Sequence, residues 1–96
     1  MSIRVTLNCC VKSGQLELLL PFLEKHLPTV RAFNGCLDVT IYFDKPNSKM
    51  LIEEQWLSVK HHRAYIEHIE NNGVLAELAL FLASAPSIKY FEKAAV

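Results

Sequence analysis

Three side chains of this sequence, His62, Glu54 and Tyr65, stand where acid–base chemistry could use them. His62 recurs with Val59, Ile66 and Ile69 at spacings of three, four and three, the stripe of an amphipathic helix, so its ring is expected to face the interior. An imidazole titrates near neutrality and, kept neutral by partial burial, can accept a phenolic proton; His62 is therefore the expected base. Tyr65, one turn further on, is a poor base but a competent hydrogen-bond donor. Glu54 alternates with Met50, Ile52 and Trp56 on one face of a strand, where a cover would desolvate it into a setting that suits a general base. Asn8 falls on the face of the first strand opposite Leu7 and Cys9, where its amide could orient a bound oxygen atom. The expected site thus has His62, Tyr65 and Asn8 as reacting or donating groups, with Trp56, Glu54, Ile52 and Ile66 contacting the bound molecule. His61 and His68 are seven residues apart, about 10 Å along a helix, too far to hold one metal ion together, so no metal is expected. Arg31 and Arg63 read as exposed helix charges.

What surrounds these residues narrows the chemistry. The chain has 96 residues and 10.9 kDa, with 51% hydrophobic residues and no net charge, which reads as one domain over residues 1–96. A chain of this size buries only about two-thirds of its surface on folding, so its apolar excess points to a second copy as partner. Balanced charge without a like-charge block gives no reason to expect nucleic acid or a membrane surface. The start, Met1-Ser-Ile-Arg-Val, lacks a secretory apolar stretch, and no segment approaches a span, so a cytoplasmic location is expected. Cys9, Cys10 and Cys36 have no metal or redox spacing and read as reduced apolar fillers. There is no Gly-x-Gly-x-x-Gly turn, P-loop or His-Glu-x-x-His, and no cofactor is expected.

The elements that must position these residues follow from periodicity. Residues 3–12 alternate, which marks a half-buried strand. A helical stripe follows, Leu16, Leu20, Leu23, Leu27 and Val30, with Pro21 and Pro28 inside it, where a bend or a 3₁₀ turn is expected. Asn34-Gly35 closes that helix. Residues 36–43 alternate again, with Leu37, Val39, Ile41 and Phe43 on one face; turn residues 44–48 then lead to a third strand over 50–56, a hairpin. Ser58 caps a helix over 58–71 that Asn71-Asn72-Gly73 ends. Residues 74–83 are apolar on every side and read as a buried helix, before a last short strand over 88–92. The order β-α-β-β-α-α-β is that of an α+β, ferredoxin-like antiparallel sheet with helices on one face. Tyr42 and Tyr90 read as packing residues on strands.

Three pieces in this order, Val11-Lys12-Ser13-Gly14-Gln15 leading into a Leu-rich helix, Asn34-Gly35-Cys36-Leu37, and Glu53-Glu54-Gln55-Trp56-Leu57-Ser58, resemble the antibiotic biosynthesis monooxygenase (ABM) domain of the dimeric α/β-barrel superfamily. The resemblance covers nearly the whole chain. It implies a homodimer that joins two sheets into a barrel, with a small-molecule pocket between each sheet and its own helices. It further implies a cofactor-independent monooxygenase that uses O₂ on a small quinol or polyketide-like, enolisable aromatic substrate. The superfamily also implies alternatives: a non-catalytic binding module, an isomerase, or a haem-degrading protein, whose pattern Asn8, Trp56 and one of His61, His62 or His68 would echo. Two departures stand out. Tyr65 replaces the histidine that many members carry nine residues after the tryptophan, and Ile52 replaces the asparagine found four residues before it in polyketide-tailoring members.

Overall fold

Alternation in residues 3–12 does produce a strand, and the computed structural model, which describes residues 2–96, assigns β1 to Ile3–Cys10. Val5, Leu7 and Cys9 are buried while Arg4, Asn8 and Cys10 are exposed, the two faces that a period of two demands. Helix α1 (Leu16–Arg31), strands β2 (Cys36–Asp44) and β3 (Lys49–Trp56), helices α2 (Val59–Asn71) and α3 (Val74–Ala79) and strand β4 (Ser87–Glu92) follow. A single 3₁₀ turn, Lys45–Asn47, closes the β2–β3 hairpin. The sheet order is β2-β3-β1-β4 and every pairing is antiparallel, the ferredoxin-like α+β arrangement. Val5, Leu7, Val39, Met50, Ile52 and Trp56 from the sheet meet Leu19, Leu23, Val30 and Leu78 from the helices in one core.

The interior of α1 differs from expectation. It continues through both prolines as one unbroken helix. Each proline deprives the carbonyl four residues back, Glu17 or Glu24, of its partner, and both of those residues are exposed, so water can satisfy them. The apolar stripe keeps Leu16, Leu23, Leu27 and Val30 but takes Leu19 in place of Leu20: Leu19 is fully buried, whereas Leu20 is 42% exposed. Five leucines within residues 16–23 make two helical stripes legible, and only the sheet decides between them.

Strand β2 carries a bulge between Cys36 and Asp38. Cys36 pairs with Trp56 and packs against the core, Val39 pairs with Glu54, and the extra residue, Leu37, is 52% exposed. The expected face of Leu37, Val39, Ile41 and Phe43 therefore loses its first member, because one inserted residue reverses the side of everything before it. Arg31 anchors this region by donating from its guanidinium to the Val39 carbonyl at 3.0 Å, an acceptor that an edge strand would otherwise leave to water. It remains exposed, as expected of a helix charge, while making this one bond. Just upstream, Gly35 has φ +92, and a Cβ placed there would lie 2.5 Å from the His61 ring. Both backbone and space require glycine at this turn.

Helix α2 begins as read: the Ser58 hydroxyl accepts from the His61 amide at 3.2 Å, and Gly73 turns the chain in the left-handed region at φ +86. The apolar run after it does not form one buried helix. Helix α3 stops at Ala79, Leu80 is 71% exposed, and Leu82 is buried in a bridge to Val11. Backbone bonds from Lys12 to the Phe81 carbonyl and from Ala83 to the Cys10 carbonyl draw this segment along the end of β1, replacing helical bonds. Among the described residues no helix is long and apolar enough to cross a membrane.

Candidate functional site

The alternation of β3 places Met50, Ile52, Glu54 and Trp56 on the covered face, and all four are buried. A carboxylate among such neighbours needs hydrogen-bond partners. Trp56, two residues along the same face, supplies one: its indole N–H donates to Glu54 Oε1 at 2.8 Å. The second neighbour comes from α2. His62, fully buried, sets Nε2 3.4 Å from that same Oε1, an ion-pair distance without the geometry of a hydrogen bond. Its Nδ1 lies 2.9 Å from the hydroxyl of Tyr90 on β4. The His62 ring meets Trp56 and Tyr90 edge-on, each with centroids 5.4 Å apart. Both protein contacts of Glu54 thus fall on Oε1, which leaves Oε2 without a protein partner among the described residues.

Glu54 also borders a small cavity of about 60 Å³ between the sheet and all three helices. Val39, Ile41 and Ile52 form the sheet wall with it; Phe22, Leu23, His26, Leu27 and Val30 come from α1, Tyr65 and Ile69 from α2, and Val74 and Leu78 from α3. Apart from Glu54, its titratable groups are Tyr65 and His26. Burial, and then the nearby Glu54 and Cys36, push the Tyr65 phenol up to about 12, so it remains an O–H donor throughout the neutral range. Phe33 and Trp56 fix the Tyr65 ring, at centroid distances of 5.2 and 5.5 Å. His26 stacks on Phe22 at 4.5 Å, and its Nε2 is buried without a partner. The lining is otherwise aliphatic and aromatic.

The expected site is gathered only in part. Glu54, Ile52 and Tyr65 reach the cavity; Trp56 stands behind Glu54 and positions it rather than forming a wall. His62 faces the interior as its stripe requires, yet it does not line the cavity: the carboxylate lies between the hollow and the imidazole. Ile66 turns toward a surface depression that it shares with Arg63, Ile88 and Tyr90. Asn8 is exposed on the opposite face of the sheet, far from His62 in role, as odd and even positions of one strand must be. That separation also breaks the haem-type set, since Asn8 and Trp56 occupy different faces. His61 is engaged with Ser58 at 2.7 Å and His68 packs on Phe33, so neither is free to join it. No group of three metal-ligating side chains occurs among the described residues. Two participants were not anticipated. His26 follows Leu19 and Phe22 at spacings of three and four, a signal hidden by the choice of the neighbouring leucine stripe, and Tyr90 was read as packing alone.

Comparison with solved structures places this geometry in context. A Bordetella bronchiseptica protein provisionally named an antibiotic biosynthesis monooxygenase superposes with a TM-score of 0.84 at 14% identity, covering 97% of both chains. A second structure, named simply antibiotic biosynthesis monooxygenase, gives a TM-score of 0.83 at 11% identity over 96% of this chain and 98% of its own. This chain has the antibiotic biosynthesis monooxygenase fold. A Nitrosomonas europaea protein of unknown function shares that fold too, with a TM-score of 0.78 at 22% identity over 99% of this chain and 91% of its own. No protein-family model matches the sequence, and no curated protein matches it either. The antibiotic biosynthesis monooxygenase fold is thus shared well beyond any sequence likeness, and chemistry must be argued from the site.

Proposed function

We propose that this protein is a cofactor-independent monooxygenase acting on a small phenolic or enolisable substrate, and that Glu54, not His62, takes the substrate's proton. One observation carries the reading: a buried carboxylate with one oxygen held by an indole N–H and the other unpartnered borders an apolar hollow. A carbon flanked by a carbonyl or a hydroxyaryl ring loses its proton to Glu54 Oε2. The resulting anion is electron-rich enough to reduce O₂ itself, so the protein supplies only a base, dryness and a donor for the anionic oxygen. Tyr65, locked as a phenol, is that donor, and His26 is a second polar contact. Conversion of the CH₂ to C=O retains one oxygen atom and releases the other as water, so electrons and atoms balance without a flavin or metal.

Size sets a condition on the substrate. An engineered cavity of about 150 Å³ accepts benzene, so the hollow seen here admits an aromatic ring only after lining side chains turn aside. The exposed sheet face, with Tyr42 and Phe91 each about half exposed, completes the reading as the surface on which a second copy packs into a barrel.

Oxygen uptake with a panel of anthrone-like and quinol compounds tests the proposal. The unaltered protein is expected to consume O₂, and Glu54→Gln to lower the rate by about 10² to 10⁴, the span of a general base. Exchange of substrate carbon-bound hydrogen for deuterium without O₂ uptake would instead identify an isomerase. Neither activity with any compound would leave a binding module.

A further inference from the structure

Glu54 is only 4% exposed and borders the cavity, so a molecule seated there would close it further from water. Its contact with water must then run through the protein. We propose that His62 and Tyr90 form a proton path from Glu54 to the molecular surface, which keeps the carboxyl in exchange with solvent while the cavity is occupied. This purpose rests on reading Glu54 as the base.

The three groups lead from the cavity to the outer surface. Glu54 borders the cavity, His62 is wholly enclosed, and Tyr90, half-buried on an edge strand, opens on the outer depression beside Arg63, Glu67 and Glu70. Both imidazole nitrogens point along this line: Nε2 lies 3.4 Å from Glu54 Oε1 and has no hydrogen bond, while Nδ1 is 2.9 Å from Tyr90 Oη. The Arg63 guanidinium sits 5.8 Å over the Tyr90 ring and holds its outer face.

The transfer balances at each step. Protonated Glu54 turns about its terminal torsion, which is broad and two-fold, and gives its proton to His62 Nε2. The ring releases its Nδ1 proton to Tyr90 Oη, and the tyrosine hydroxyl proton passes to water. The proposed oxygenation releases no net proton, so one outward and one inward passage per turnover restore the starting tautomer without a ring flip. His62 and Tyr90 act through Glu54 and do not touch substrate.

Hydrogen exchange of the histidine side chains, followed by NMR in ¹⁵N-histidine-labelled protein, tests the path. The His62 ring N–H is expected to exchange with D₂O at a rate unaffected by dilute urea, whereas the amide of fully buried Val5 exchanges through unfolding and quickens. Tyr90→Phe keeps the ring and removes the oxygen, and is expected to slow His62 exchange at least tenfold. A hydroxyl that merely braced the imidazole would have the opposite effect, since its loss loosens the ring. His62 exchange that follows Val5 in urea, or that quickens or stays constant in Tyr90→Phe, overturns the path. If the variant does not fold, the urea comparison in the unaltered protein decides alone. Oxygen uptake is read separately: a working path without uptake removes the oxygenase reading, and uptake without the path removes only the path.

Discussion

Single residues would carry the proposed chemistry through the partners they keep. In the proposed reaction Glu54 serves because Trp56 occupies one of its oxygens and nothing among the described residues occupies the other. Trp56→Phe, which keeps an aromatic ring and removes the N–H, is expected to lower oxygen uptake while leaving the far-UV circular dichroism unchanged. Tyr65 and Cys9 make a second, independent prediction. The phenol ionises near 10 in the unfolded chain and is pushed to about 12 in the fold, chiefly by burial; burial, then the neighbouring Cys10, moves the Cys9 thiol from 9.0 to about 11. Over those intervals the unfolded chain gives up protons that the folded chain keeps. The stability these groups contribute is complete below about pH 9 and falls as pH rises, through Cys9 between about 9 and 11 and through Tyr65 between about 10 and 12. Urea midpoints measured at pH 8 and pH 11 should show the decline, and Tyr65→Phe should make it shallower.

Elements decide which of these residues meet. The register of β1 with β3 pairs Val5 with Glu54 and Leu7 with Ile52, which holds the cavity wall at the centre of the sheet. Helix α1 closes that wall with the stripe containing Leu19, not the one containing Leu20. Leu19→Ala is therefore expected to cost about 2–5 kcal/mol of unfolding free energy, the range for a buried leucine. Leu20→Ala should stay within about 0.5 kcal/mol, and urea denaturation of the pair distinguishes the two stripes. The turn into β2 is as demanding. Gly35→Ala places a Cβ against His61 in a left-handed backbone, and a loss of about 1–3 kcal/mol is expected by the same measurement.

The whole molecule has one face of its sheet covered by helices and the other exposed, with Tyr42 and Phe91 projecting among polar residues such as Thr6, Asn8 and Gln55. The second copy proposed for that face is testable by sedimentation: a dimer is expected, and Phe91→Asp should shift it toward monomer while leaving the covered core intact. Element order, the Ser58 cap and the alternation of β3 were legible in the sequence because each depends on neighbours a few residues away. Periods of 2.0 and 3.6 assign a face to a side chain from local spacing alone, and that sufficed to put Glu54, Trp56 and His62 on covered faces. What spacing could not supply was the ordering across elements. Nothing local to β3, α2 or β4 says that the carboxylate stands between the hollow and the imidazole, or that Tyr90 meets the ring from behind. The same limit explains the exchange of Leu20 for Leu19 in α1, the Leu37 bulge and the early end of α3, where the sheet selected one of several local solutions. The sequence by itself determined that Glu54, Trp56 and His62 leave water; only packing between distant segments determined which of them touch, because contact energies depend on positions that no local period encodes.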